Sequence, residues 1–257
     1  MPMWKRVAAS VGVGATALSF GILIAVLGTP VRLDSAFSQK FSVVGDKTQG
    51  FVDELLSRMM AHRRWQDSVL REYQAHRLFY ATNQRFNIDS TLEVDTTFRS
   101  PGAMQSTVVR QDGSAFIREH VFLKILAAES ELSTGTQSDV IPDNYQFTLV
   151  GADACEGRPC WRLALKPRRN EKFLLDGDVW LDAEDYGVSR IHGFPAKRVS
   201  LWISKAEVDC HFRRINGIWL TDKIESSSDV RLFGNVQMQI HYAYNNVGVG
   251  TVAKNGL

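Results

Sequence analysis

The chain has 257 residues, of which 44% are hydrophobic and 23% are charged, a composition close to that of ordinary soluble globular proteins. Its 30 basic and 28 acidic residues leave a net charge of +2, which argues against nucleic acid as a partner because phosphate binding needs a basic surplus. A single stretch is apolar enough to cross a bilayer, which excludes a multi-span membrane protein.

The amino terminus has the pattern of an export signal. Lys5 and Arg6 precede residues 7–31, none of which is charged. Two outcomes fit this pattern. Cleavage after Ser38 would use the small residues Ala36 and Ser38, whereas retention would leave 7–31 as an inner-membrane anchor, since about 20 apolar residues span a bilayer. Either outcome predicts that the rest of the chain is periplasmic.

The remainder divides into a linker and one folded domain. Residues 1–38 are the signal peptide or anchor, 39–49 the linker, and 50–257 the domain. The domain opens with a helical stripe made by Phe51, Leu55, Leu56, Met59 and Met60. A second helix is predicted over 116–132, with Ser114 as its cap, and the small polar residues of 134–139 predict a mobile connection.

Most of the domain has the alternating pattern of β-strands. In 88–98 the apolar residues recur at every second position, which is typical of an antiparallel sheet with one buried face. Similar patterns begin near Tyr73 and continue at 103–111, 145–149, 161–165, 179–181, 188–192, 199–212, 218–232 and 236–244. The apolar parity switches within 199–212, and a conflict of parity before Cys155 predicts a bulge at Gly151.

These patterns predict an α+β fold built on a single, strongly curved antiparallel β-sheet. We expect about 10–11 strands in an incomplete barrel, with the helices on its concave side.

The three cysteines fit an oxidising compartment. Cys155 and Cys160 flank a turn-like segment, 156–159, and the sequence predicts a local disulfide between them. Their spacing is neither that of a redox motif nor that of a zinc site. Cys210 lies in a strand pattern and is predicted to be a buried thiol.

One acidic cluster allows two interpretations. Its five carboxylates could bind a calcium ion, although the EF-hand spacing is absent, or they could pair across strands with basic residues. We favour pairing, with Arg162, Lys166 and Arg168 sharing the outer face with Asp176 and Asp178, and Arg162 lying across from Trp180. No metal or cofactor is therefore expected. The cluster consists of Asp176, Asp178, Asp182, Glu184 and Asp185.

Catalytic signatures are missing from the sequence. The six histidines show no metal-ligand spacing, no serine lies in a nucleophile elbow, and no glycine-rich phosphate loop occurs. We therefore predict that the protein is not an enzyme. A hydrolase with a site dispersed along the chain remains a third alternative.

Several segments together resemble the periplasmic lipoprotein-carrier superfamily, which includes LolA, LolB and RseB-type proteins, and most of all its outer-membrane lipoprotein-sorting-like members. The likeness covers about 140–244 well and 50–140 loosely. It rests on Asn144-Tyr145-Gln146-Phe147, Trp161-Arg162-Leu163-Ala164-Leu165-Lys166-Pro167-Arg168, Gly177-Asp178-Val179-Trp180-Leu181-Asp182-Ala183-Glu184-Asp185-Tyr186, Arg190-Ile191-His192-Gly193 and Gly217-Ile218-Trp219-Leu220.

This resemblance implies a half-barrel whose apolar concavity holds acyl chains. The leading hypothesis is a non-enzymatic carrier of lipid or lipoprotein acyl chains, with 116–132 and 134–139 as a moving lid. The alternative is an anchored envelope sensor or scaffold that binds a partner protein of the inner or outer membrane. The candidate groove residues are Leu92, Val94, Phe98, Tyr145, Phe147, Trp161, Leu163, Val179, Leu181, Met238 and Ile240.

Overall fold

The computed structural model describes residues 42–132, 138–171, 173–198, 203–232 and 234–250. The signal peptide or anchor predicted over 1–38, and residues 134–137 of the predicted mobile connection, lie outside these ranges. In the part of the chain that is described, no helix has both the length and the apolar character needed to cross a membrane.

Two helical segments and ten strands make up the described chain. Helix α1 spans Ser42–Val69, and a second helical segment, 115–132, joins α2 (Ala115–Ile117), a π-helical turn (Arg118–Phe122) and α3 (Leu123–Leu132). The strands are β1 (Leu70–Asn83), β2 (Ile88–Arg99), β3 (Ala103–Gly113), β4 (Tyr145–Cys155), β5 (Arg158–Pro167), β6 (Leu175–Asp182), β7 (Val188–Pro195), β8 (Ile203–Ile215), β9 (Ile218–Val230) and β10 (Gly234–Val249).

All ten strands belong to one antiparallel sheet, in the order β3-β2-β1-β10-β9-β8-β7-β6-β5-β4. This confirms the prediction of a single antiparallel sheet with about ten strands. The strong curvature predicted from the sequence is not observed. The sheet is open, with β3 and β4 at opposite edges, because each bulge changes the register of only one strand pair while its neighbours stay regularly paired.

One face of the sheet is covered by the helices and forms the main core. Every strand except β3 contributes alternate apolar residues to it, as the period of two predicts. From α1 it receives Val52, Leu55 and Met59, and from the second helical segment Phe122 and Ile125. We call this face the covered face. The opposite face, here the outer face, carries most of the charged side chains.

Helix α1 is longer than the sequence pattern indicates. It starts at Ser42, inside the predicted linker 39–49, and continues without a break to Val69. The second helical segment begins where it was predicted, because the Ser114 hydroxyl accepts a hydrogen bond from the backbone N–H of Ile117 at 3.5 Å.

Both predicted irregularities in the strands are observed. The register of β4 against β5 shifts between Leu149 and Gly151, and that of β8 against β9 shifts between Ile203 and Lys205. In each case an extra residue returns the apolar side chains to the covered face. The bulges therefore explain the changes of parity in the sequence.

The predicted disulfide is not formed. Cys155 and Cys160 are free thiols, because a tight two-residue turn at Glu156-Gly157 pairs Cys155 with Arg158 and Cys160 with Asp153. Burial, followed by a hydrogen bond with Cys155, raises the pKa of Cys160 to about 12, so this thiol is protonated at neutral pH. Cys210 is a buried thiol, as predicted.

Candidate functional site

The predicted groove residues lie together on the covered face, under the helices. Ten of the eleven are buried, with exposed fractions between 0 and 8%, and Trp161 is partly buried against the same core. In this structure they form part of the main core, except Phe98, which lies in a second, smaller cluster. A ligand could reach them only if one of the covering helices moved away.

The second helical segment, 115–132, covers the sheet with a small apolar footprint. Phe122 packs on Phe79 of β1, with ring centroids 5.6 Å apart, and Ile125 is buried beside it. On the side facing solvent, Phe116 and Leu123 are 62% and 40% exposed. The segment also contains a π-helical turn, an irregularity that is common at functional sites.

A buried ion pair holds this segment on the sheet. Arg77 of β1 is only 2% exposed, and one of its terminal nitrogens, Nη2, donates to both carboxylate oxygens of Glu129, at 2.7 and 2.9 Å. The guanidinium lies between two aromatic rings, 4.9 Å from the centroids of Phe79 and Tyr242. A second nitrogen, Nη1, donates to the Thr96 hydroxyl at 3.4 Å, and the third, Nε, is buried with no hydrogen-bond partner in the described structure.

The surroundings of Arg77 keep it charged. Burial lowers the pKa of its guanidinium, but the neighbouring Tyr242 and Glu129 outweigh this effect and leave the pKa above its ordinary value. Burial also raises the pKa of Tyr73 to about 12, so this phenol stays neutral. A permanent positive charge therefore lies beneath the helical segment, with one donor unused.

Helix α1 is fixed to the sheet by a different set of polar contacts. Arg63 donates to the buried carboxylate of Asp139 at 2.6 Å. Gln66 exchanges two hydrogen bonds with the backbone of Trp219, at 2.8 and 3.1 Å. Because α1 also buries three apolar residues in the core, it is held at more points than the segment 115–132.

A small cavity lies beside α1. Its volume is about 30 Å³, enough for a water molecule or two but far smaller than the 150 Å³ cavity that holds benzene in an engineered protein. The Nε2 atom of His62, one of the lining residues, is buried without a hydrogen-bond partner in the described structure. Burial lowers the pKa of His62, although Asp185 acts in the opposite direction.

The outer face carries the predicted charge ladder. Arg162 pairs with Asp178 at 2.8 Å and lies 5.2 Å from the centre of the Trp180 ring, and Lys166 pairs with Asp176. These contacts confirm the interpretation of the acidic cluster as cross-strand pairing. Arg168 is an exception, because it donates instead to the backbone oxygens of Pro142 and Tyr145. Arg190 stacks on the same tryptophan at 4.8 Å.

Asp182, at the centre of the acidic cluster, organises the β6–β7 turn. It accepts a hydrogen bond from Arg158 at 2.6 Å and two from the backbone N–H groups of Glu184 and Asp185, at 2.9 and 3.2 Å. Burial raises its pKa, but these donors hold the pKa below its ordinary value. Its oxygens are thus occupied by protein donors.

The sequence reasoning missed the Arg77–Glu129 pair. A signal for Arg77 was present, because in β1 the residues Tyr73, Ala75, Phe79 and Ala81 share its parity and are all buried. An arginine within such an apolar row has to find a buried partner. No signal indicated that the partner would come from a helix 52 residues away.

Comparisons with known proteins show similarity of fold. No family model and no curated protein matches the chain. Among solved structures, an outer membrane lipoprotein-sorting protein domain from Vibrio parahaemolyticus is 12% identical, with a TM-score of 0.41, over 79% of this chain and 93% of that one. A LolA superfamily protein from Nitrosomonas europaea is 8% identical, with a TM-score of 0.34, over 78% and 94%.

The chain is also similar to a two-protein complex among the solved structures. The MucA/MucB complex from Pseudomonas aeruginosa matches at 9% identity, with a TM-score of 0.25, over 77% of this chain and 99% of that one. These three structures are of the kinds that the sequence resembles. At such identities and TM-scores, function has to be argued from the residues of this chain.

Proposed function

We propose that the protein binds acyl chains of lipids or lipoproteins between the covered face of the sheet and the helical segment 115–132. The observation that carries the proposal is the Arg77–Glu129 pair, which fixes a helical segment with few buried apolar side chains over a large apolar surface. The binding role is non-enzymatic, and the protein acts in the periplasm of the cell envelope.

The energies favour exchange of the helical segment for an acyl chain. Full burial of a large apolar side chain contributes about 1.5–3 kcal/mol, so Phe122 and Ile125 together contribute about 5 kcal/mol, to which the partly buried Ile117, Val121 and Leu126 add a smaller amount. An acyl chain gains about 0.8 kcal/mol for each buried CH₂ group, or about 12 kcal/mol for a C16 chain. The ligand therefore has enough apolar surface to displace both side chains.

The exchange also changes the polar partner of Arg77. When the segment lifts, Glu129 leaves and the guanidinium loses its carboxylate, which is costly for a buried charge. The anionic group of a lipid, a carboxylate or a phosphate, takes the place of Glu129. The two aromatic rings keep Arg77 in position for this contact.

The experiment measures lipid bound to the full chain. We expect native mass spectrometry of gently purified protein to show copurified lipid, and a fluorescent fatty acid to bind saturably. Glu129→Gln removes the charge partner of Arg77 and weakens the closed state by about 3 kcal/mol, which corresponds to a roughly hundredfold larger open population and faster uptake.

Glu119→Gln is the matched control, because Glu119 is an exposed carboxylate in the same helical segment. It should leave the rate of uptake unchanged. The proposal fails if neither the parent chain nor Glu129→Gln binds the fatty acid saturably and no lipid copurifies. Equal rates of uptake for Glu129→Gln and Glu119→Gln would show that the Arg77–Glu129 pair does not hold the helical segment closed.

A second candidate function is that of a sensor or scaffold for a partner protein. It is favoured by the edge strand β3, which pairs only with β2 and exposes Val108 and Val109 by 40% and 56%. An exposed edge can accept an extended peptide as an added strand. Crosslinking from position 109 in intact cells tests it, and a specific protein adduct is the expected result.

A further inference from the structure

Two turns and the start of a helix meet at one end of the sheet. The β1–β2 turn and the β9–β10 turn are neighbours there, because β1 pairs with β10, and the Arg85 side chain lies beside Gly234. The start of the helical segment 115–132 joins them through a hydrogen bond from Ser114 N–H to the Asp89 carbonyl oxygen at 3.2 Å. We call the surface formed by Arg85, Phe86, Phe116, Arg118, Arg231 and Leu232 the rim.

The rim exposes large apolar side chains at the tips of its segments. Phe86 is 45% exposed, Phe116 62% and Leu232 74%. Such side chains at the tips of neighbouring segments form a projecting apolar surface, whereas scattered single ones are ordinary. Arg85 lies over the ring of Phe86, 5.6 Å from its centre, which combines an apolar surface with a cation in one place.

The rim lies at the basic end of the molecule. At this end, the described turns between neighbouring strands contain six basic residues and one acidic residue, namely Arg85, Arg168, Arg169, Lys197, Arg198, Arg231 and Glu171. The turns at the opposite end contain three acidic residues and no basic residue, namely Glu156, Glu184 and Asp185. The turns at the two ends therefore differ in charge, and at the opposite end Glu184 and Asp185 are paired with Arg158 and Arg214.

Four of the basic residues at this end have no ion pair. Among the described residues, no carboxylate lies within ion-pair distance of Arg85, Lys197, Arg198 or Arg231. By contrast, the arginines of the outer face are paired, as Arg162 is with Asp178 and Arg190 with Asp209. The rim segments contain one acidic residue, Glu119, and Asp89, Asp112 and Asp229 lie at the neighbouring strand ends.

We propose that the rim docks this end of the sheet on the surface of an anionic phospholipid bilayer. Unpaired arginines and lysines attract anionic head groups, while Phe86, Phe116 and Leu232 enter the boundary between head groups and acyl chains. The opposite end of the sheet then points away from the same surface. This inference is independent of acyl-chain binding, and it gives the molecule a fixed orientation on the membrane.

The test measures amide hydrogen exchange of the full chain in two kinds of vesicle. One kind is pure phosphatidylcholine and the other is phosphatidylcholine mixed with phosphatidylglycerol, so a retained amino-terminal anchor is present equally in both. We expect 84–88 and 231–236 to exchange more slowly on the mixed vesicles only, and this protection to fade as salt is added.

Two variants separate charge from apolar insertion. A basic residue near an anionic surface strengthens binding about fivefold, so Arg85→Gln/Arg231→Gln should lower the docking equilibrium about 25-fold and abolish the protection. Phe86→Ser/Leu232→Ser should also abolish it. Arg64→Gln/Val150→Ser is the matched control, because it removes an exposed cation and an exposed apolar side chain away from the rim and should change nothing.

Three results would overturn the proposal: no slowing on either vesicle, equal slowing on both, or slowing that survives Arg85→Gln/Arg231→Gln. Slowing that depends on an added protein and not on phosphatidylglycerol would assign the rim to a protein partner and also reject the proposal. Fatty-acid uptake is measured separately, so failure of docking and failure of acyl-chain binding are distinguishable.

Discussion

At the scale of single residues, His62 shows how burial changes the pKa of a titratable side chain. It lies on α1 beside the small cavity, with a buried Nε2 atom that has no described hydrogen-bond partner. Its pKa is affected by the charges of Asp185, Asp182 and Arg214 and by a hydrogen bond with the side chain of Gln66. Burial dominates, so the neutral imidazole is favoured in the folded protein and the pKa is lowered.

This lowered pKa makes stability depend on pH. The unfolded chain binds a proton near the ordinary histidine pKa of 6.5, whereas the folded chain resists protonation, so the free energy of unfolding falls as the pH drops through 6.5. We expect His62→Gln to show less of this loss than the parent chain. Urea unfolding measures this loss of stability between pH 5 and 7.5, a range of about two units that brackets the pKa of the unfolded side chain.

His241→Gln provides the control for this measurement, because His241 is exposed on β10. The free energy of unfolding of His241→Gln should depend on pH in the same way as that of the parent chain. Identical pH dependence of the parent chain and His62→Gln would show that the imidazole of His62 does not make this contribution.

At the scale of elements, two glycines allow β6 and β7 to approach closely. Gly177 and Gly193 are paired across the two strands. A Cβ atom at Gly177 would lie 2.1 Å from the carbonyl oxygen of His192 and 2.5 Å from the Cα of Gly193. Both contacts are with backbone, which cannot rotate away, so any side chain at this position has to separate the strands.

We expect Gly177→Ala to destabilise the protein by about 1–3 kcal/mol through this overpacking. Gly50→Ala is the comparison, since Gly50 is exposed in α1 and a Cβ there meets nothing within 4 Å. That change should stabilise by about 0.5–1 kcal/mol, because alanine favours a helix interior. Denaturant midpoints measure both. A neutral Gly177→Ala would contradict the close approach.

Local elements were the most predictable part of the fold. Alternation of apolar residues predicted the strands, and breaks in that alternation predicted the bulges near Gly151 and Ile203. The cysteine pairing was predicted wrongly, because the sequence of 156–159 does not reveal that two residues are enough for the turn. The first turns of α1 were missed, because the apolar stripe begins only at Phe51.

The curvature of the sheet and the candidate site were less predictable for a physical reason. Both depend on contacts between residues far apart in the chain, whereas periodicity reports only on neighbours. The candidate groove residues lie in the core that the helices cover, except that Phe98 belongs to a second, smaller cluster. The Arg77–Glu129 pair joins a strand to a distant helix, and no local pattern encodes such a pair.

At the scale of the whole molecule, one core joins strands from nearly the whole sheet. The main cluster contains residues from β1, β2 and β4 to β10, as well as from both helical segments. Because these residues contact one another, neither half of the sheet has a comparably large core of its own. A second, smaller cluster adjoins it near the start of β1 and includes Tyr73, Phe98 and Ile218.

We therefore expect the described unit to unfold in a single cooperative transition. Tryptophan emission should report on the core through Trp219 and Trp161, and far-ultraviolet circular dichroism should report on the sheet. The two midpoints in urea should coincide. Separate midpoints would show that the strands fall into independently stable groups, contrary to the shared core.

The place of β10 in the sheet has a consequence for biogenesis. It lies between β1 and β9, so β1 to β3 cannot join the remaining strands until β10 is present. In a polypeptide that threads through a translocation channel from its amino terminus, the earliest strands would emerge with an open edge and wait for the last strand to arrive. A chaperone on the far side of the membrane would have to bind the unpaired edge of β1 until β10 is available to pair with it.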